Sequence, residues 1–329
     1  MTPVTILATV RNVKPTVEPW LDSLLDQTYG EPYDIVIIDS CSDDGTREML
    51  QKYSKEHENI TVFEYESTQP EALNFAIREN LVKSDLVALI DGDCVAPREW
   101  LHTLVETLER NNYNAVGGPG LTPAEANLIQ KIIGLDLDAR FLSTPEGFVD
   151  RHPNMNLLIK KSILEQIPFS EELHVGYDTE FGYRLKRNGY SIYFKPSAYV
   201  WHHHRSSIKG YLKQQLKTGY FAPKVYLMNR DGLNGDNINP PTTILQPVAL
   251  FLLGVFTIPF LFTGVVAYAI LGVVPLLILF GAETYRSFLV VKDPLIVFLI
   301  PLYFVRLIMW VFGTIIGVVG DRIDRLRRV

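Results

Sequence analysis

The sequence predicts a mostly parallel α/β sheet flanked by helices and followed by a helical membrane region, and three observations carry that prediction. Strand-like and helix-like segments alternate through roughly the first 90 residues, the signature of a doubly wound sheet. The apolar run Leu86-Val87-Ala88-Leu89-Ile90 ends abruptly in Asp91-Gly92-Asp93, as a strand buried on both faces does where it emerges at a sheet edge. Residues 1 to about 243 are mixed and charged, whereas 244 to 320 are almost wholly apolar.

Taken in order, Val4-Thr5-Ile6-Leu7-Ala8-Thr9 is β-rich, and after Arg11-Asn12 a Pro-opened segment places Val17, Leu21, Leu24 and Leu25 at helical spacing. Ile35-Val36-Ile37-Ile38-Asp39 repeats the pattern and runs into the polar turn Ser40 to Thr46, which starts a helix through Met49-Leu50. Ile60 to Phe63 is a third strand, and a helix containing Glu71, Ala72, Leu73, Asn74 and Ile77 precedes the strand that ends at Asp91. Ligands of such sheets bind at the carboxyl ends of the strands. Asp91 and Asp93 stand there, and two carboxylates so close call for a cation, for which Mg2+ or Mn2+ suits oxygen ligands and phosphate. On the triplet alone a surface turn competes, since Asp-Gly is a common turn dipeptide.

Composition narrows the function classes. A formal net charge of −6, with no basic stripe in the first 200 residues, argues against a nucleic-acid partner. Two cysteines, Cys41 and Cys94, fit structural thiols in a reducing compartment rather than a disulfide scaffold. No charged leader with an apolar core opens the chain, so the soluble part is expected in the cytoplasm.

In these segments the chain resembles the family 2 glycosyltransferases of the GT-A fold. The resemblance rests on Val4 to Asn12, on Ile38 to Thr46 against the family's V-D-D-x-S-x-D-G-T pattern, and on Asp91-Gly92-Asp93 as its DxD motif. It implies a nucleotide-sugar site at Thr9, Arg11, Asn12, Asp39, Asp91 and Gly92, with Asp39 as the acid holding the base; a turn or capping acid is the competing reading of Asp39. Ser40 departs from the pattern, where relatives often carry a second Asp, and the helix after residue 70 lacks the arginine of their A-R-N-x-G segment.

Further on, Ala115 to Gly120 reads as a strand into a glycine-rich loop, and Asn154 to Lys160 as another strand. Gly176-Tyr177-Asp178-Thr179-Glu180 is similar to the family's G-E-D-x-E/D-L segment, with Tyr177 in place of Glu, which makes Asp178 the catalytic base. Glu180 and Arg184 are i,i+4 partners and read as structural. In Trp201-His202-His203-His204-Arg205, which follows a strand-like segment, His202 and His204 share a face. One of them completes the metal shell in some relatives, a polar strand end being the alternative.

These features set domains at 1–205 (catalytic), 206–243 (interfacial helix and linker) and 244–329 (about three apolar helices and a basic tail). Lys209, Lys213 and Lys217 recur every four residues opposite Ile208, Tyr211, Leu212 and Leu216, a pattern expected to lie on anionic headgroups. Leu245 to Phe280 is long enough for two short crossings or one hairpin, and Leu295 to Val319 for a third crossing. Arg306 inside that run must face protein, water or lipid phosphate. The tail Arg322, Arg325, Arg327 and Arg328 asks to be cytoplasmic, whereas three crossings would put it outside.

The expected activity is metal-dependent, inverting transfer of one sugar from a nucleotide-diphosphate sugar to a lipid-linked acceptor at the cytoplasmic membrane face. The alternatives are a polyprenyl-phosphate sugar synthase, a processive polysaccharide synthase, and an inactive nucleotide-sugar-binding scaffold.

Overall fold

The computed structural model describes residues 2–327, so Arg328 of the basic tail lies outside them. The chain divides into two compact units, Met1–Ala126 with Thr144–His204, and Asn127–Ser143 with Arg205–Val329.

The first unit begins with β1 (Val4–Val10), α1 (Lys14–Leu25), β2 (Tyr33–Asp39), α2 (Thr46–Glu56), β3 (Ile60–Glu64), α3 (Gln69–Arg78) and β4 (Leu86–Ile90). Every residue of β1 and β4 is buried, because helices cover both faces of a parallel sheet. On α1 the inward stripe is Val17, Trp20, Leu21 and Leu24, the 3.6-residue spacing visible in the sequence. The short β5 (Cys94–Val95), α4 (Trp100–Asn111), β6 (Ala115–Gly117) and β7 (Gly120–Leu121) follow.

After the inserted α5 (Leu128–Ser143), the unit resumes with β8 (Gly147–Val149), β9 (Asn156–Lys160), α6 (Lys161–Gln166), α7 (Tyr177–Arg187), β10 (Ile192–Phe194) and β11 (Val200–His202). The main sheet has the order β3-β2-β1-β4-β9-β6-β10-β8, with β9 antiparallel to both its neighbours and β8 antiparallel to β10 at the edge. The remaining pairs are parallel, as expected. A second sheet, β5-β11-β7, lies outside it.

Asn156 ties the two sheets together. Its side chain is fully buried, donates to the carbonyls of Ala198 (2.7 Å) and Pro119 (3.3 Å), and accepts from Trp100 Nε1 at 2.8 Å. The glycine-rich stretch packs rather than cradles: a Cβ on Gly118 would lie 1.9 Å from the carbonyl oxygen of Ala198.

The second unit comprises α5, α8 (Ile208–Met228), α9 (Pro241–Thr263), α10 (Val266–Val291) and α11 (Leu299–Arg327), with a short 3-10 turn at Pro294–Phe298. The segment 127–143, although both its ends return to the sheet unit, packs with the apolar helices. Three stretches, Pro241–Thr263, Val266–Val291 and Pro294–Gly320, are long and apolar enough to cross a membrane. The first two form an antiparallel hairpin through left-handed Gly264, with Gly272 against Leu253 near the middle and Thr243 bonded to Glu283 at the base. Residues 283–291 continue α10, so no further crossing hides there.

A buried ionic cluster joins these helices. Asp136 accepts from Arg140 (2.6 Å), Arg306 (3.0 Å) and the Tyr303 hydroxyl (2.8 Å), while Arg306 also donates to Gln246 at 3.1 Å. Glu283 lies 3.6 Å from both arginines, so two cations face two carboxylates. Arg306 therefore faces protein, as required. Asp136→Ala would leave two buried guanidiniums against one carboxylate and is expected to destabilise the chain by roughly 3–5 kcal/mol. Thermal unfolding in detergent measures this; an unchanged midpoint would show the cluster to be solvated.

Candidate active site

The carboxyl ends of β1, β2 and β4 lie side by side, with Val10 paired to Asp39 and Leu7 to Leu89. Loops leaving these ends carry most of the residues singled out by sequence. Asn12, at φ 56°, donates Nδ2 to Asp43 Oδ1 (2.8 Å) and accepts from the Asp43 backbone N–H (3.0 Å). Its own N–H donates to Ser42 Oγ and that of Val13 to Thr46 Oγ1, each at 2.9 Å. Asn12 thus staples two loops together, while Arg11 stays exposed.

Asp39 is fully buried. It accepts from the Ser42 hydroxyl and backbone N–H, and Arg47 Nε stands 3.6 Å away. In this arrangement Asp39 shapes the turn through Ser42, while its two oxygens keep acceptor sites that Ser42 does not use. Ser40 uses its backbone N–H to bond Val10 rather than offering a second acid.

The two acids of the DxD diverge. Asp91 accepts from Gln69 Nε2 at 2.8 Å. Gln69 opens α3, where a reciprocal capping box between Thr68 and Glu71 sets the helix start. Those bonds to Thr68 hold the Glu71 carboxyl below its usual range. Gly92 is required for packing: a Cβ there would lie 2.7 Å from Val10 Cγ1, and its carbonyl accepts from Thr16 Oγ1 at 2.8 Å. A small cavity lined by Thr9, Gln69, Asp91 and Asn154 runs beneath, and the Thr9 hydroxyl inside it has no hydrogen-bond partner among the described residues.

Asp93 faces the second sheet. Antiparallel pairing of β11 with β5 sets His202 opposite Cys94, and the His203 N–H donates to the Asp93 carbonyl at 2.8 Å. His202 Nε2 thereby comes within 3.6 Å of Asp93 Oδ1, with the His204 ring 4.4 Å from that of His202. Among the described residues, ligand atoms of Asp93, Cys94 and His202 lie within 4.8 Å of one another. Burial and the charges of Asp93 and Asp91 push the Cys94 thiol well up, so it stays protonated beside the carboxylates. The remaining pair, one carboxylate and one imidazole, fits Mn2+ or Mg2+ with positions left for phosphate oxygens.

Asp178 sits half-buried in the first turn of α7, after left-handed Gly176. Its Oδ1 accepts from the Thr179 N–H at 2.7 Å. Glu180 forms a bidentate pair with Arg184 (3.0 and 2.8 Å), as the i,i+4 spacing anticipates. Tyr177 is the link that sequence reasoning recorded only as a departure. Burial first, then the charges of Asp91 and Asp178, push its phenol well above the usual range, so its hydroxyl lies in the field of both acids. Gln69 and Asn156 also escaped notice, because neither a single Gln at a helix start nor an Asn in an apolar strand signals a site on its own.

His152 is buried where a Cβ on Gly117 would strike it, and its Nε2–H donates to the Gly118 carbonyl at 3.0 Å. Burial pushes its imidazole down to about 4, the bond to Gly118 opposing and the Arg151 charge assisting. The folded chain thus prefers neutral His152. Its contribution, about 3 kcal/mol, is complete above the unfolded value near 6.5 and is lost as pH falls towards about 4. Unfolding midpoints of the detergent-solubilised chain should fall less steeply over that window in His152→Gln than in the parent; parallel slopes would exclude a neutral buried imidazole.

The comparisons agree with the fold. The model of "Glycosyl transferase family 2" matches residues 5–166, and that of "Glycosyl transferase family group 2" matches residues 86–318. Glycosyltransferase AglE of Haloferax volcanii is 25% identical over 244 residues, covering 70% of this chain and 76% of the relative. A dolichyl N-acetyl-alpha-D-glucosaminyl phosphate 3-beta-D-2,3-diacetamido-2,3-dideoxy-beta-D-glucuronosyltransferase of Methanococcus voltae is 25% identical over 235 residues, covering 66% and 71%. Among solved structures, the mannosyltransferase PcManGT of Pyrobaculum calidifontis, in complex with GDP-Man and Mn2+, superposes with a TM-score of 0.60 at 16% identity, covering 96% of this chain and 87% of that one.

Proposed function

The chain belongs to glycosyl transferase family 2 and is a GT-A-fold glycosyltransferase that uses a nucleotide-sugar donor; from that premise we propose that it moves a single sugar, with inversion, onto a lipid-linked acceptor at the membrane face. The observation that carries this reading is the placement of Asp91-Gly92-Asp93 at the end of β4 with His202 brought beside Asp93 by the β11–β5 pair. Asp93 and His202 would hold a divalent ion, and Asp91, positioned by Gln69, faces the donor from the α3 side. When bound, the ion would neutralise charge developing on the leaving diphosphate.

Asp178 takes the proton of the acceptor hydroxyl, on the face opposite the leaving group, which inverts the anomeric centre. Buried Tyr177, next to Asp178 in the chain, feels the charges of both Asp91 and Asp178. Thr9, Arg11, Asn12 and Asp39 shape the nucleotide pocket, with Asn12 and Asp39 acting through the stapled loops. Two features support a lipid acceptor: the apolar helices, and the dolichyl-linked substrate in the name of the Methanococcus voltae relative. A catalytic unit and a basic tail both on the cytoplasmic side require an even number of crossings.

The test incubates the purified full chain and a membrane lipid extract with a panel of nucleotide sugars and measures free nucleoside diphosphate. One donor should release diphosphate only when Mn2+ or Mg2+ and the extract are both present. Release without extract would indicate donor hydrolysis, and no release with any donor would favour a binding scaffold.

A further inference from the structure

Helices α8 and α11 run parallel in close register. Trp310 Nε1 donates to Gln215 Oε1 (2.9 Å), and one turn on Thr314 Oγ1 donates to the Gly219 carbonyl (3.0 Å), both pairs being 95 residues apart. Glycines make the seam tight. A Cβ on Gly219 would lie 2.3 Å from the Trp310 carbonyl oxygen, one on Gly313 2.2 Å from that of Leu216, and one on Gly317 2.6 Å from that of Tyr220. Small residues at that spacing let two backbones meet and fix their rotation.

The register sets the lysines beside the middle of the apolar stretch Pro294–Gly320. An offset of 95 brings Lys209, Lys213 and Lys217, all exposed, level with Phe304, Ile308 and Phe312, within about 8 Å of its midpoint along the axis. Were α11 an upright span, three solvated ammonium groups would sit near the centre of the hydrocarbon.

A second constraint is independent of the lysines. Arg306 bonds Asp136 on α5, and α5 is entered from Ala126 and left at Thr144, both in the α/β unit. One helix of that length cannot cross a bilayer and return. The level of Arg306 is therefore the interface on the α/β side. Gln246 and Glu283, at the base of the α9–α10 hairpin, share that level through their contacts with Arg306.

We propose that α11 does not cross the bilayer: α8 and α11 lie together in the headgroup region on the side of the α/β unit, Lys209, Lys213 and Lys217 meeting anionic phospholipid phosphates, while only the α9–α10 hairpin enters the hydrocarbon. The exposed flank of α11 at Phe312, Ile315, Ile316 and Val319 then covers acyl chains. An inserted hairpin returns the chain to the membrane side it left, so the basic tail lies on the same side of the bilayer as residue 205, and the conflict between crossing number and tail charge disappears.

The test reconstitutes the full chain, with a protease-cleavable tag after Val329, in sealed vesicles whose α/β unit faces outward. Protease added outside should remove the tag before permeabilisation; a tag protected until the vesicles are opened would overturn the proposal. A spin label at Lys213→Cys, in an active chain, should collide more with a water-soluble nickel reagent than with oxygen, and the reverse order would place α8 in hydrocarbon and overturn it. Fluorescent phosphatidylglycerol should bind the detergent-solubilised parent in preference to phosphatidylcholine. The triple variant Lys209→Gln, Lys213→Gln, Lys217→Gln should lose that preference, whereas retention in the variant would remove the lysines from the lipid contact.

Discussion

Asp178→Asn is expected to lower sugar transfer by about 10²–10⁴-fold while leaving metal-dependent donor affinity near the parent value. A base acts on the acceptor alone, and the amide keeps the shape of the carboxylate without its capacity to take a proton. The local structure tolerates the change: one oxygen accepts the Thr179 N–H in the first turn of α7, a bond that the amide oxygen can also accept. Single-turnover transfer and donor titration together separate the outcomes. Normal transfer to a lipid hydroxyl would move the base to a neighbour, while transfer only to a polyprenyl phosphate, unaffected by the mutation, would favour the phosphate-acceptor alternative.

The second large effect is expected at the metal. Asp93→Ala removes the carboxylate that faces His202, so donor affinity in Mn2+ should fall by more than the roughly 10–100-fold typical of losing a group that only orients a ligand. EDTA should reproduce that loss in the parent and add little in the variant. His202→Ala should weaken Mn2+ binding, read by calorimetry without any donor, whereas His204→Ala should do so less, since only the His202 ring lies in the cluster with Asp93. Unchanged, EDTA-insensitive affinity in Asp93→Ala would remove the metal from donor binding.

Much of this arrangement is legible in the sequence, for identifiable reasons. Apolar runs that stop at an acid mark β2 and β4, since a strand buried on both faces has no other way to end at a polar edge. Alternation along Trp201 to His204 places His202 and His204 together, and the structure sets their rings in contact. What sequence could not give is the partner across space. Asp91 and Asp93 look equivalent, yet Gln69 from α3 claims one and β11 approaches the other. Asp39 also accepts from Ser42, a contact that its position at the end of an apolar run does not reveal. The helix at Leu128–Ser143 carries Asp136 and Arg140 four residues apart, which reads as a solvated pair until Arg306, 170 residues away from Asp136, closes on it.

The most direct measurement of the central claim follows the sugar itself. The full chain is supplied with a radiolabelled nucleotide sugar, Mn2+ and a membrane lipid extract, and label in the organic phase is compared with nucleoside diphosphate released. The account predicts equal amounts of the two, one sugar per lipid by mass spectrometry, and none of either after chelation. Label recovered as free sugar or as a water-soluble polymer, or several sugars on each lipid, would contradict it.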